Sequence, residues 1–272
     1  MSATLYIQKP QCSSVYGPVK SWRFGRSLGI DPIGSVSTCS FNCVYCQLGN
    51  IQQVTPVRQV FVPTAQIIDE LRAIAPLEQI DVVTLSGSGE PTLALNLEKI
   101  LAVVKKVTRL PTVVLTNSTL LHDPEVRSAL KLADTVAAKL DAISSNQLQQ
   151  INRPVATINL PGILEGIEQF RQEYQGHLAI QTMVLSRWTP DMVEDYMQIL
   201  QRLKPDEIQL NIPSRPRVLV RELEARGNDT LQSPPDLFQN LKCVSTDILA
   251  SLATQIHDAI NIPVNYPAIV SL

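Results

Sequence analysis

The run IDVVTLSGSGE, Ile80 to Glu90, joins an apolar, β-branched segment to a loop of alternating small residues. A short apolar run bounded by glycine reads as a strand buried on both faces, the kind found in parallel sheets. Working outward, runs of the same type recur at 111–116 (PTVVLT), 134–140 (DTVAAKL), 178–185 (LAIQTMVL) and 206–212 (DEIQLNI), and a first strand is expected near 30–36. Helical spacing fills the gaps: Ile67, Ile68, Leu71 and Ile74 share a face, as do Leu97, Ile100, Leu101 and Val104, and again Val193, Tyr196, Met197, Leu200 and Leu203. Asp123-Pro124 and Thr189-Pro190 read as N-caps followed by proline in the first turn.

Strands alternating with helices of 10 to 15 residues imply βαβ units with right-handed crossovers. About six units fall short of the eight of a closed barrel, so the expected fold is α/β, a partial (β/α)6 TIM-like barrel with a parallel sheet. Residues 1–212 form the expected core, N-terminal extension included. Residues 213–272 form a C-terminal extension packed on it, proline-rich at SRPRVLVREL and SPPDLF, then helical through Ile248, Leu249, Leu252 and Ile256. In such sheets ligands bind at the loops leaving the C-terminal strand ends. The loop Ser86-Gly87-Ser88-Gly89-Glu90 and the strand-end residues Asn117 and Asp141 therefore become candidate contacts. Glu90, set between Gly89 and Pro91, has no evident capping duty and points to ligand contact.

Upstream, VSTCSFNCVYCQLGN (36–50) gathers Cys39, Cys43 and Cys46 within eight residues. With Cys12 and Cys243 the chain has five cysteines, an odd number, and three are too crowded for a secreted disulfide framework, so metal or cluster ligation is the better reading. Structural zinc takes four ligands, and no second knuckle accompanies these three; a [4Fe-4S] cluster can be held by three thiolates with one iron left open. Cys12 and Cys243 read as inert thiols, Met183 and Met197 as core fillers, and Leu164, Ile167 and Phe170 of the GILEGIE stretch as core-facing.

Composition sets the outer bounds. The 272 residues are 44% hydrophobic with mean hydropathy +0.06, enough for one sizeable core. No apolar run approaches the roughly 20 residues of a membrane span, and the opening MSATLYIQKP has no secretory pattern, so a cytoplasmic protein is expected. A net charge of −2 gives no global case for a nucleic-acid binder such as a tRNA enzyme. Locally, residues 1–68 carry Lys9, Lys20, Arg23, Arg26 and Arg58 against Asp31 alone. A basic face beside the cysteines suits an anionic substrate, and Arg215, Arg217 and Arg221 form a second basic set.

The cysteine spacing, with Tyr45 before the last cysteine, resembles the Cys-x3-Cys-x-aromatic-Cys hallmark of the radical S-adenosylmethionine (SAM) superfamily. Ser88-Gly89-Glu90 resembles that family's Gly-Gly-Glu element, with serine in place of the first glycine. YGPVKSWRFGRSLGIDPIG, CVYCQLG, SGSGEPTL, KLDA and INRP together resemble its bacterial branch related to tRNA wyosine synthases, without the second set of upstream cysteines those enzymes carry. The resemblance implies Cys39, Cys43 and Cys46 as ligands of a [4Fe-4S] cluster whose open iron binds SAM. It further implies SAM contacts from Tyr45, Ser86, Gly87, Ser88, Gly89, Glu90, Asn117 and Asp141. The reaction implied is reductive cleavage of SAM to a 5′-deoxyadenosyl radical for hydrogen abstraction, fed by a flavodoxin or ferredoxin-type reductant, from a small-molecule or nucleotide substrate. A glycyl-radical-enzyme activase and a zinc or Fe–S electron-transfer protein without SAM chemistry are the alternatives.

Overall fold

The computed structural model describes residues 13–74, 77–213, 216–219, 226, 238–241 and 243–267. The main sheet has eight strands. β1 (Val15–Ser21) and β2 (Gly25–Ile30) form an antiparallel hairpin at one edge. Beside β2 lie in parallel β5 (Val82–Leu85), β6 (Thr112–Thr116), β7 (Thr135–Lys139), β8 (His177–Met183), β9 (Glu207–Asn211) and the short β12 (Val264–Asn265). β1 and β12 do not meet, so the sheet curls into an open half-barrel. Two small parallel strands, β3 (Thr38–Cys39) and β4 (Gln53–Val54), frame the cysteine loop.

Helices α1 (Thr64–Ala73), α2 (Leu97–Thr108), α3 (Pro124–Leu130), α5 (Leu160–Glu173) and α6 (Pro190–Leu203) cover the outside. Between β7 and α5 lie a single turn, α4 (Ser145–Gln147), and a π-helical turn at Leu148–Asn152. The apolar stripes fall where the spacing predicts: Leu97, Ile100, Leu101 and Val104 of α2 are fully buried against the sheet. The caps behave as expected, Asp123 accepting from Glu125 N (2.9 Å) and Thr189 from Met192 N (3.3 Å). Every residue of β5 is buried, as a central parallel strand requires. The minor pair β10 (Arg217–Val218) and β11 (Phe238–Gln239) precedes α7 (Thr246–Ile260), which buries Leu249, Leu252 and Ile256.

The first parallel strand is the main departure from expectation. It is β2 and runs 25–30, after the unexpected β1, and 31–37 is a bent loop. Pro32 and Gly34 (φ 83°) break the extended chain, and the Asp31 carboxylate accepts from Ile33 N (2.9 Å) and Gly34 N (3.1 Å), folding it back. Gly29 disguises the real strand in sequence. It is required because the Tyr16 ring lies against it: a Cβ at 29 would stand 2.3 Å from Tyr16 Cζ.

Candidate active site in the half-barrel

Each parallel strand ends on the same rim, and a cleft of about 410 Å3 opens there and runs along the concave face to the tip of the β1–β2 hairpin. Cys39, Cys43 and Cys46 line it together, each half-buried. Ser86, Gly87, Gly89, Glu90, Asn117 and Tyr45 line it as well. Ser88 is fully buried and Asp141 is 6% exposed, and both lie behind the wall.

The cysteine loop is locked to the glycine loop by backbone. Thr38 N donates to Ser88 O (3.1 Å) and Glu90 N to Thr38 O (3.0 Å). The approach is so close that a Cβ on Gly89 would sit 1.7 Å from the Thr38 carbonyl oxygen. At Gly87, φ is 142° and a Cβ would fall 2.4 Å from the Asp31 carboxyl carbon. The steric demand therefore rests on 87 and 89. Position 88 tolerates serine, whose amide donates to Asp31 Oδ2 (3.1 Å).

Glu90 corrects the sequence reading, because it does have a capping duty. Its Oε1 accepts from Thr92 N (3.1 Å), Thr92 Oγ1 (2.6 Å) and Thr116 Oγ1 (2.7 Å), and its Oε2 from Asn117 N (2.6 Å). It caps the 3₁₀ turn Pro91–Leu93 and ties the ends of β5 and β6 together. Burial pushes its carboxyl above the usual range even though these four bonds pull it down.

The opposite wall is built around Asp141. Its Oδ2 accepts from the Tyr45 hydroxyl and from Asn152 Nδ2 (2.7 Å), its Oδ1 from Met183 N (2.8 Å), and Lys139 Nζ stands 3.7 Å away. Lys139 also lies over the Tyr45 ring, 5.2 Å from its centroid. Asn152, which sequence reasoning missed, sits in the π-helical turn. That turn cradles the cysteine loop: Asn42 N and Val44 N donate to the carbonyls of Asn152 and Ile151 (2.9 Å each), and Val155 N donates to Ser40 O (3.1 Å). The INRP stretch was its only signal, and π turns are frequent at functional sites.

Burial, then Glu90 and Cys43, pushes the Cys39 thiol up; burial and then Asp141 pushes Cys43 up to about 12. Thiols in such surroundings ionise when a bound cation supplies the compensating charge. Three soft donors on one cleft, with Leu48 and Ile51 packed against Cys39 and Cys46, fit an iron–sulfur cluster. None of the three histidines lines the cleft: His122 bonds Thr119 O, His177 Glu207, and His257 Ile262 O.

Lys20, Arg23, Lys139 and Arg226 line the cleft, against Glu90 as its one acid among the described residues. Arg226 crosses from the C-terminal segment to pair with buried Asp31 (2.9 Å) and stack on Tyr16 (4.9 Å). Arg26 pairs on the surface with Asp81 (3.2 Å), and Arg217 donates to Asn50 behind the cysteine loop. Met197 is core as expected, whereas Met183 lines the cleft. Cys243 lies away from the cleft, its Sγ on Leu241 O (3.2 Å). Cys12, Arg215 and Arg221 lie outside the described residues.

Comparison with known proteins bears on this arrangement directly. The UPF0026 protein slr1464 of Synechocystis sp. is 56% identical over 252 residues, 92% of this chain and 95% of the relative. A UPF0026 protein of Methanocaldococcus jannaschii is 35% identical over 206 residues, 74% of this chain and 64% of the relative. Among solved structures, Streptococcus suis SuiB bound to S-adenosylmethionine superposes with a TM-score of 0.62 at 15% identity. That superposition covers 85% of this chain, which spans about half of SuiB (48%), and it shows a shared fold. Residues 34–200 match the family described as the radical SAM superfamily. The match takes in the cysteine loop, the glycine loop, Asn117, Asp141 and Asn152, and by it the chain belongs to the radical SAM superfamily as an enzyme of SAM-dependent radical chemistry.

Proposed function

We propose that Cys39, Cys43 and Cys46 hold a [4Fe-4S] cluster, and that the protein cleaves SAM reductively to abstract hydrogen from an anionic or nucleotide-type substrate. The observation that carries this reading is the shared cleft: three thiols and a glycine loop from separate segments, pinned together through Thr38, face the same space. When bound, the reduced cluster supplies the electron that splits the sulfonium into methionine and a 5′-deoxyadenosyl radical.

The chain's own residues do the rest. Gly87 and Gly89 let the loop close on Asp31 and Thr38 at the edge of the cleft, and Ser86, Glu90, Asn117 and Tyr45 offer polar atoms or a ring face to SAM. Ser88 and Asp141 brace these groups from behind. The cationic lining favours a carboxylate or phosphate substrate. A flavodoxin or ferredoxin-type protein is the proposed electron donor, since low-potential clusters need one. Residues 1–212 are taken as the catalytic core and 213–272 as an extension that contributes Arg226 to the cleft.

The test is anaerobic reconstitution with iron and sulfide, followed by SAM and dithionite, with 5′-deoxyadenosine quantified beside a Cys39→Ala control. Product that depends on Cys39 is expected. A protein that holds about four irons and makes none would turn the reading to electron transfer, and a colourless zinc-loaded protein would sink it.

A further inference from the structure

Each wall of the cleft delivers one buried side-chain amide to a cysteine sulfur. Asn117 Nδ2 donates to Cys39 Sγ (3.4 Å) and to Ser40 Oγ (2.8 Å). Its Oδ1 accepts from Thr119 N (3.1 Å) and Thr119 Oγ1 (2.8 Å), so the amide plane is fixed from both ends. On the other wall Asn152 Nδ2 donates to Cys43 Sγ (3.4 Å) and to Asp141 Oδ2 (2.7 Å). The two asparagines are 7% and 1% exposed. Because the turn carrying Asn152 is hydrogen-bonded to the backbone of Asn42 and Val44, amide and cysteine loop form one piece.

A buried amide is costly to desolvate, and a neutral thiol is a weak acceptor that returns little of that cost. A sulfur bearing negative charge returns more, because a charge-assisted bond is about twice as strong as a neutral one. Two independent walls ending in the same N–H to sulfur contact are therefore arranged for charged sulfurs. Hydrogen bonds to the sulfurs are among the levers that set a cluster's reduction potential. Their sign follows from electrostatics: an N–H dipole aimed at sulfur stabilises the more negative, reduced state more than the oxidised one.

We propose that Asn117 and Asn152 are positioning residues that raise the reduction potential of the cluster on Cys39, Cys43 and Cys46. They thereby ease the one-electron transfer from the external donor, which is itself oxidised by one electron. The inference rests on the function proposed above. It assigns a role to two residues of which one, Asn117, had been expected only to touch SAM.

The test is an EPR-monitored redox titration of the reconstituted protein, with iron and sulfide counted in every sample. Asn117→Ala and Asn152→Ala are compared with Asn96→Ala, another buried amide, which donates to Val62 O and Thr64 Oγ1 (2.9 Å each) away from the cysteines. The midpoint should fall in each of the first two, fall further in the double variant, and stay at the wild-type value in Asn96→Ala. Unchanged midpoints in the first two, or an equal fall in Asn96→Ala, would overturn the assignment. Because a variant can lose the cluster altogether, the native protein labelled with 15N in the asparagine side-chain amide alone, which leaves the Asn42 backbone nitrogen of the cysteine loop unlabelled, provides a second readout. Pulsed EPR of its reduced cluster should show weak 15N couplings, and their absence overturns the inference while leaving the proposed function standing. A wild-type protein that takes up no iron or sulfide overturns both.

Discussion

The two walls of the cleft meet the same cysteine loop by different means. The β5–β6 wall is built from backbone: Thr38 pairs with Ser88 and Glu90 across a gap that admits no Cβ at 89. The β7 wall also pairs by backbone with Asn42 and Val44 through the Leu148–Asn152 turn, but what sets it apart is a side chain, the Asp141 carboxylate, which receives Tyr45, Asn152 and the Met183 amide. A backbone wall is intolerant of added atoms, and a side-chain wall is intolerant of lost charge or acceptors. The comparison can be broken by exchanging the two kinds of insult.

The largest effect is expected from Gly89→Ala. The new methyl overlaps the Thr38 carbonyl oxygen, and backbone cannot swing aside as a flexible side chain can. A loss of about 3 kcal/mol or more is expected, at or beyond the upper end for overpacking, read by urea unfolding. Ser88→Gly, one residue away, should cost under about 1 kcal/mol, the flexibility penalty of a glycine. If the two substitutions cost the same, the backbone account of this wall is wrong.

On the side-chain wall, Asp141→Asn should cost about 2 kcal/mol, since an amide whose one oxygen accepts from Tyr45 and Asn152 turns its NH2 toward the Met183 N–H and leaves that buried donor unmet. Tyr45→Phe should cost less. The pair should be non-additive, with a coupling of about 1 kcal/mol in a double-mutant cycle, because each loss removes part of the other. Additive costs would mean that the Tyr45 hydroxyl and Asp141 do not share a network.

The same division decides what was readable in the sequence. The five strands from 82 to 211 and the helical stripes of α2 and α6 were legible because apolar periodicity reports burial directly. Strand β2 was not, because Gly29 and Ser27 answer to Tyr16 and Thr84 across the sheet, contacts that a local window does not contain. Cys39, Cys43 and Cys46 were legible as a spacing, and Gly89 as a small residue at a strand end. Asn152 was hidden: an asparagine before Arg-Pro reads as a turn former, and its partners Cys43 and Asp141 lie 109 and 11 residues away. Glu90 was misread for the opposite reason. Its cap on Thr92 is local, but its bonds to Thr116 and Asn117 exist only once β5 and β6 lie side by side.

Glu90 sharpens the comparison, since it is a side chain placed on the backbone wall, and its predicted effect is the smallest. Burial holds its native carboxyl above the ordinary range, so between the unfolded and native values the native state binds more protons than the unfolded one. Stability contributed by this group is therefore present at low pH and is lost as pH rises through that window, the reverse of a salt-bridged acid. Glu90→Gln removes the titration but keeps an oxygen for the Thr92 and Thr116 hydroxyls. In urea titrations from acid to neutral pH, the variant's stability should fall less with rising pH than the wild type's. Parallel curves would mean that the four hydrogen bonds offset burial completely, and that this carboxylate is held charged at no cost to the fold.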